Sequence, residues 1–557
     1  MKQGILWFLI SKKIKEHILF QQNISHLCFK KMKYSVSIFL AVFLVVGCQK
    51  KEKADYIIKD AVIYTMNENN DVAECVAVKD GKIVAVGSNQ AVLQIYTSDS
   101  IVSLNGKYMY PVFTDAHAHF FGLAYSLGDC NLYGAKSVQE IITRLKIFRE
   151  KNSHRLWMTG RGWDQNLFED KQFPDRMTLD SVFPDIPVCL KRVDGHAVWT
   201  NTKAMEAADV FKVKKVDGGE IVMKNGTPSG IFIDNATTLI EKHISALSKK
   251  EIIELLMKAD SICIKNQIGY VHEAGLEWWQ IQLLDSMIEK GLIHTKIYAM
   301  ALPTKENVNY FLQHGWIDKP NFKVKAFKIY ADGALGSRGA LLKQPYADKN
   351  TYGLRLIPAD SLRYLLTVLY QKGFQVCTHA IGDSANRWIL QEYATILKVG
   401  NDRRWRIEHA QVVDFKDMEC FGRYAIIPSV QPTHAVSDKN WAVERLGTDR
   451  IHYAYAYQSL WQQNKRLALG TDFPVEDVSP LKTFFAAVFR CDYDLKDTTT
   501  FHIKERLNRI QTLRGMTIDA AYAAFMEKET GSIEKGKNAE WTILDIDLMT
   551  ISKEDLS

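Results

Sequence analysis

The chain is 557 residues long, 47% hydrophobic, and carries a formal net charge of +7. That length exceeds one minimal domain, and the composition, with charge scattered throughout, excludes a disordered, repetitive or coiled-coil protein. Seven lysines against the single Glu16 in residues 1–33 supply six of the positive charges, so the remainder is near neutral and has no electrostatic basis for binding nucleic acid.

The first 47 residues read as an address. Met32-Lys33 precedes an apolar run, Val36 to Val46, which is too short to span a membrane comfortably and is followed by Gly47, Cys48 and the polar Gln49-Lys50-Lys51-Glu52-Lys53. Val45-Val46-Gly47-Cys48 resembles a bacterial lipobox. The resemblance implies cleavage before Cys48, lipidation of Cys48, and an exported protein held in the bacterial cell envelope, at the outer membrane, by that lipid alone. A complete signal begins at Met32, which makes Met32 a candidate true start; a long n-region is the alternative. Residues 48–54 read as a charged tether. The other cysteines are dispersed, and none of the nine forms a Cys-x-x-Cys pair, so neither a zinc ribbon nor a disulfide scaffold is expected.

From Asp55 the pattern becomes β-rich. Tyr56-Ile57-Ile58, Ala61 to Thr65, Cys75 to Val78 and Lys82 to Val86 are short strand candidates separated by turn signals at 67–71 and Asp80-Gly81. Gly531-Ser532-Ile533 and Trp541 to Asp545 offer matching strands at the other end. Residues 55–110 with 526–557 are therefore expected to form one small β-sandwich built from both ends of the mature chain.

Between 111 and 525, short apolar strands alternate with amphipathic helices, as in a parallel α/β architecture. Strands are predicted at 156–159, 187–191, 268–272, 325–330, 375–379, 406–409, 426–430 and 467–470, after a first one ending near residue 115. About eight or nine such strands fit a (β/α)8 TIM-type barrel, whose chemistry sits at the C-terminal ends of the strands. A doubly wound open sheet is the alternative, and no Gly-x-Gly-x-x-Gly fingerprint supports it. Residues 201–240 carry hairpin-type turns and are expected to be an insertion.

Metal-capable side chains recur at these strand ends. His117 and His119 in Asp115-Ala116-His117-Ala118-His119 share a strand face, where two imidazoles either hold a metal or are satisfied core histidines. Lys328, His379, His409 and Asp472 follow on later strands, each before a turn.

Taken with Gly160-Arg161-Gly162-Trp163-Asp164, Arg192-Val193-Asp194-Gly195-His196, Tyr330 to Arg338, His379-Ala380-Ile381-Gly382-Asp383, Arg406-Ile407-Glu408-His409-Ala410 and Gly470-Thr471-Asp472-Phe473-Pro474, this series resembles the amidohydrolase superfamily of metal-dependent hydrolases, in its amidohydrolase 3, or YtcJ-like, branch. The resemblance implies a divalent metal, zinc foremost and one or two ions, held by His117, His119, His379, His409 and Asp472. Lys328 sits where the superfamily can use a carboxylated lysine as a bridge; a barrel-interior amine or an ion pair is the other reading. Phe473 departs from the Trp common in the branch.

The implied reaction is hydrolysis of an amide-type, non-peptide C–N bond of a small molecule by a metal-activated water, with Asp472 as general base and then acid. Lys328 and His196 join Asp472 as catalytic candidates. Trp163, Asp164, His196, Arg338 and His434 are candidates for binding substrate, Arg338 by clamping a carboxylate. His272 ends a strand without an implied role. Two other readings stay open: a metal-assisted ester or phosphoester hydrolase or an isomerase on the same scaffold, and a non-catalytic surface-binding lipoprotein. Oligomeric state is open as well.

Overall fold

The computed structural model describes residues 51–557 apart from 154, 214 and 246. The expected signal segment 1–47, with Met32, and the expected lipidation site Cys48 lie outside the described residues.

Eight parallel strands form the barrel: β1 (Phe113–Ala118), β2 (Ile268–Leu276), β3 (Lys296–Ala301), β4 (Phe322–Tyr330), β5 (Gln375–Ala380), β6 (Arg406–His409), β7 (Ile427–Val430) and β8 (Ala468–Leu469), each paired with the next, and the short strand Ile317–Lys319 adds to β4 antiparallel as a ninth. The run after β8 closes the sheet onto β1. Asp472 N donates to His117 O at 2.7 Å and His119 N to Phe473 O at 2.8 Å. The Asp115 carboxylate adds a side-chain clasp, accepting from Thr471 Oγ1 at 2.6 Å and Thr471 N at 3.1 Å. Gly470 permits this approach, because a Cβ there would lie 2.4 Å from His117 N. The chain is thus a (β/α)8 barrel with an additional β-domain.

Helices cover the barrel by burying one apolar stripe each. The helix Ala359–Gln371 buries Leu362, Leu366 and Leu369, each worth about 2 kcal/mol in removed apolar surface. Along β4 the alternation holds: Lys325 lies over the rings of Trp316 and Phe525, whereas Lys328 points into the barrel and is fully buried.

Two predicted barrel strands belong elsewhere. The stretches at 156–159 and 187–191 form strands Met158–Trp163 and Val188–Arg192 of a separate six-stranded sheet inserted between β1 and β2. That sheet runs Cys130–Asn131, Met158–Trp163, Val188–Arg192, Ala197–Thr200, Thr227–Asp234, Gly219–Lys224, and has its own core around Trp163, Leu190, Trp199 and Ile231. The insertion expected at 201–240 is only its C-terminal half. The Asn225-Gly226 hairpin lies there, with both residues at positive φ (50° and 77°). The place left in the barrel is taken by β3, a strand the sequence reading did not mark.

The small domain consists of two four-stranded sheets that share the core Ile58, Ile63, Val76, Val78, Ile83 and Met109. Trp541–Leu544 pairs antiparallel with Tyr108–Pro111, joining the chain's two ends. Gly531-Ser532-Ile533 forms no strand; Ile533 N makes a single backbone bond to Thr65 O at 2.8 Å. The expected tether is already docked at Glu52–Lys53, which pairs with Tyr96–Thr97. The end of the chain leaves the small domain, because Leu548 and Leu556 pack into the barrel core.

Candidate active site

At the end of β1 the His117 side chain is fully buried, and its Nδ1 donates to Glu408 Oε2 at 2.5 Å. Glu408 is held in turn by Arg406, whose Nε lies 2.7 Å from Glu408 Oε1. The same guanidinium donates to Ala116 O at 2.5 Å and Ser429 Oγ at 2.7 Å, and its Nη1 lies 3.1 Å from His272 Nδ1. This chain across β1, β2, β6 and β7 sets the His117 tautomer and leaves Nε2 as a lone pair facing the barrel axis. His409 is set in the same way, with Nδ1 donating to Gln431 Oε1 at 2.8 Å. Its φ of +72°, followed by +41° at Ala410, turns the chain out of β6 at the mouth.

Asp472 follows β8 with φ of +62°. Its Oδ1 lies 3.2 Å from His119 Nε2 and 3.5 Å from His117 Nε2, and its Oδ2 lies 3.7 Å from His434 Nε2. One ligand atom each from His117, His409 and Asp472 lies within 4.8 Å of the other two. His119 reaches this group through Asp472. His379 packs its ring 4.6 Å from that of His409, but its Nε2 turns toward Asp332, 3.6 Å away, so it stands outside the tightest cluster. Lys328 Nζ is buried without a hydrogen bond and lies over the Tyr330 ring at 4.2 Å.

These residues fit a divalent cation. Buried polar atoms are nearly always paired. Here His117 Nε2, Asp472 Oδ1, His379 Nε2, His434 Nε2 and Lys328 Nζ are all buried without a hydrogen-bond partner, and all belong to residues at the barrel mouth. Burial pushes the imidazoles of His117, His379 and His409 below their ordinary range, and that of His119 to about 4, which keeps them in the neutral form that ligates metal. Burial alone would raise Asp472, but His119, His117 and His434 outweigh it and hold the carboxyl well below the usual range.

The mouth opens into a cleft of about 600 Å³, of a size for a small molecule. The insertion supplies its far wall. His196 lines the cleft, with its ring 5.2 Å from that of His379 and its Nδ1 donating to Asp234 Oδ1 at 2.7 Å. Burial lowers the His196 imidazole, and Asp234 and Asp194 more than restore it, leaving it above its ordinary value. Asp164 lines the cleft but is committed to Arg192, as is Asp194. His434 lines it as well.

Two substrate-binding candidates lie elsewhere. Trp163 is fully buried in the insertion core, donating from Nε1 to Leu190 O at 2.7 Å and packing against the rings of Phe173 and Trp199. Arg338 forms a fork with Asp348, at 3.2 and 2.8 Å, and lines no part of the cleft. Glu408, Gln431, Asp234 and Glu273 are functional positions the sequence reading missed. Glu273 accepts from Phe120 N and from Phe121 N (3.4 Å), capping the helix that starts just after His119. Burial raises its carboxyl to about 8. Its only local signal is its place beside His272 in β2; Glu408 stood next to His409 in a motif already quoted.

A closed parallel barrel with neutral histidines and an aspartate converging at its C-terminal mouth defines the class of barrel hydrolases built around a cation site. Residues 100–557 match the model of the Amidohydrolase family, and the chain belongs to that family and is a hydrolase by that membership. It is 33% identical to YtcJ of Bacillus subtilis (strain 168), over 89% of this chain and 95% of that protein. It is 23% identical to an N-substituted formamide deformylase of Arthrobacter pascens, over 88% and 94% of the two chains. A crystal structure of an uncharacterized metal-dependent hydrolase from Pyrococcus horikoshii OT3 superposes with a TM-score of 0.73 at 26% identity, covering 90% of this chain and 99% of that one.

Proposed function

We propose that this chain is an amidohydrolase that cleaves a non-peptide C–N bond of a small molecule with the help of a divalent metal, zinc foremost. The observation that carries the proposal is the convergence of His117, His409 and Asp472 within 4.8 Å, with His117 Nε2 and Asp472 Oδ1 buried and unpaired. His117, His409 and Asp472 would hold one ion, and His119 and His379 would complete that shell or a second one. Lys328, buried and unpaired beside them, would add a further ligand if carboxylated. When bound, the metal lowers the pKa of water toward ~7 and polarises a carbonyl.

The chain's own residues supply the remaining steps. Asp472 accepts a proton from the attacking water at a carboxylate oxygen and returns it to the leaving nitrogen. Glu408 and Arg406 keep His117 oriented through the cycle. His196, steadied by Asp234, presents its other ring edge to the substrate's carbonyl or leaving group. The name of the formamide-cleaving relative supports C–N bonds as the target. A panel of N-acyl amino acids, formamides, cyclic amides and esters, assayed on metal-loaded protein, tests this. Turnover of esters with no amide cleaved would refute it.

Asp234 is expected to act on turnover through His196. Asp234→Asn should lower kcat by roughly 10- to 100-fold with KM within about threefold, the size of effect typical of a residue that orients a catalytic imidazole. An equal rise in KM would make it a residue of the cleft's shape instead.

We also propose, from the lipobox-like run ending at Cys48, that the mature protein is held in the bacterial envelope by a lipid on Cys48. Mass spectrometry of the mature N-terminus should find a diacylglyceryl-type mass on Cys48. An unmodified Cys48 or a different first residue refutes the anchor.

A further inference from the structure

The cleft wall carries four cationic side chains, Arg161, Lys191, Arg192 and Lys328. Three are accounted for: Lys191 pairs with Glu241, Arg192 is shared by Asp164 and Asp194, and Lys328 is enclosed in the barrel. Arg161 pairs with no carboxylate among the described residues. Its Nε donates to Tyr133 Oη at 3.1 Å, its Nη2 reaches Val193 O only at 3.5 Å, and its Nη1 has no hydrogen bond among the described residues.

The surroundings hold this guanidinium in place and leave its outer edge clear. Tyr133 Oη donates to Pro474 O, tying the brace to the loop that carries Asp472. Tyr133 can sit there only because Gly162, at φ +109°, has no Cβ; one would lie 2.5 Å from Tyr133 Cγ. Gly195, at φ +77°, passes beside the guanidinium, and a Cβ there would lie 3.4 Å from Nη2. His196 follows directly. The Gly-Arg-Gly and Asp-Gly-His motifs, otherwise unexplained, thus build one feature: a braced arginine fork beside the catalytic histidine.

We propose that Arg161 binds a carboxylate on the substrate, so that the enzyme's substrates are amides carrying a carboxylate close to the scissile C–N bond, a class that rests on the amidohydrolase reading above. A planar guanidinium braced at Nε, with Nη1 unpaired and Nη2 held only by a long bond, can meet a carboxylate bidentately through its Nη1–Nη2 edge. Phe121, Tyr125, Leu335 and Trp441 line the same cleft and suit an apolar group on that substrate. Arg338, the arginine the sequence suggested for this task, is occupied by Asp348.

The test uses N-acetyl-alanine, N-acetyl-leucine and N-acetyl-phenylalanine, of both hands, each beside the matching N-acetyl amine that lacks the carboxylate. With metal-loaded protein, kcat/KM should favour the acid over its neutral partner by about 10²-fold or more, as for a site built around a polar group. Arg161→Gln should collapse that ratio toward one, and Arg161→Lys should recover part of it. Equal rates on acid and neutral amide, or a ratio unchanged in Arg161→Gln, overturns the assignment. If no amide is hydrolysed, the amidohydrolase reading fails separately, and calorimetry still reads Arg161. Binding of an N-acetyl amino acid that is lost in Arg161→Gln supports the anion site; no binding, or the same binding in both proteins, overturns it. Melting temperatures of both variants within a few degrees of the parent are required for the comparison.

Discussion

His117→Ala is expected to remove bound metal and to lower turnover by about 10³-fold or more, because His117 is fully buried and its inward Nε2 has no hydrogen-bond partner. The variant also leaves the buried Glu408 without its imidazole donor. Removing the donor to a buried carboxylate costs about 1–3 kcal/mol, so some loss of melting temperature should accompany the loss of activity. Glu408→Gln gives the graded companion. It keeps every proposed ligand but weakens the orientation of His117, and metal affinity should fall by about 10- to 100-fold. Full metal content and turnover in His117→Ala would remove this histidine from the centre.

Asp472→Asn is expected to lower kcat by about 10²–10⁴-fold, the range supplied by general acid–base catalysis. Asparagine keeps one carbonyl oxygen but not the basic carboxylate. The fold should tolerate the change. Asparagine adopts the left-handed conformation seen at Asp472 (φ +62°) more readily than most residues, and the backbone bond from its N–H to His117 O is retained. Asp472 caps no helix, since the next helix begins at Pro480, with Ser479 in the N-cap position. Near-normal kcat with a lowered melting temperature would make Asp472 structural and leave the proposed reaction without its base.

The barrel was legible in its alternation of apolar strands and helices, and the candidate ligands because each lies at or near the end of an apolar strand with a turn following. That signal is local. Sheet membership is not. Met158–Trp163 and Val188–Arg192 pair in parallel with a neighbour, as barrel strands do, and nothing in either segment states which sheet receives it. β3, Lys-Ile-Tyr-Ala-Met-Ala, was missed because half of it is alanine and methionine, which carry little strand preference. The supporting residues were hidden for a related reason. Glu408 reads as an ordinary acid until β1 is laid beside β6, and Asp234 until the insertion folds back onto His196, 38 residues away. Arg161 and Arg338 show the same limit, because the sequence displays two arginines in motifs and the three-dimensional partners decide which one is free to bind a ligand.

The most direct test of the central claim is the metal content of the purified mature protein, measured by elemental analysis beside its turnover before and after chelation. The account predicts one or two equivalents of a divalent metal per chain, zinc foremost, removed by a chelator together with activity and restored together on adding the metal back. The same measurement on His117→Ala and His409→Ala should show metal content well below one equivalent. A protein that hydrolyses its substrate at an undiminished rate with no divalent metal bound would contradict the account.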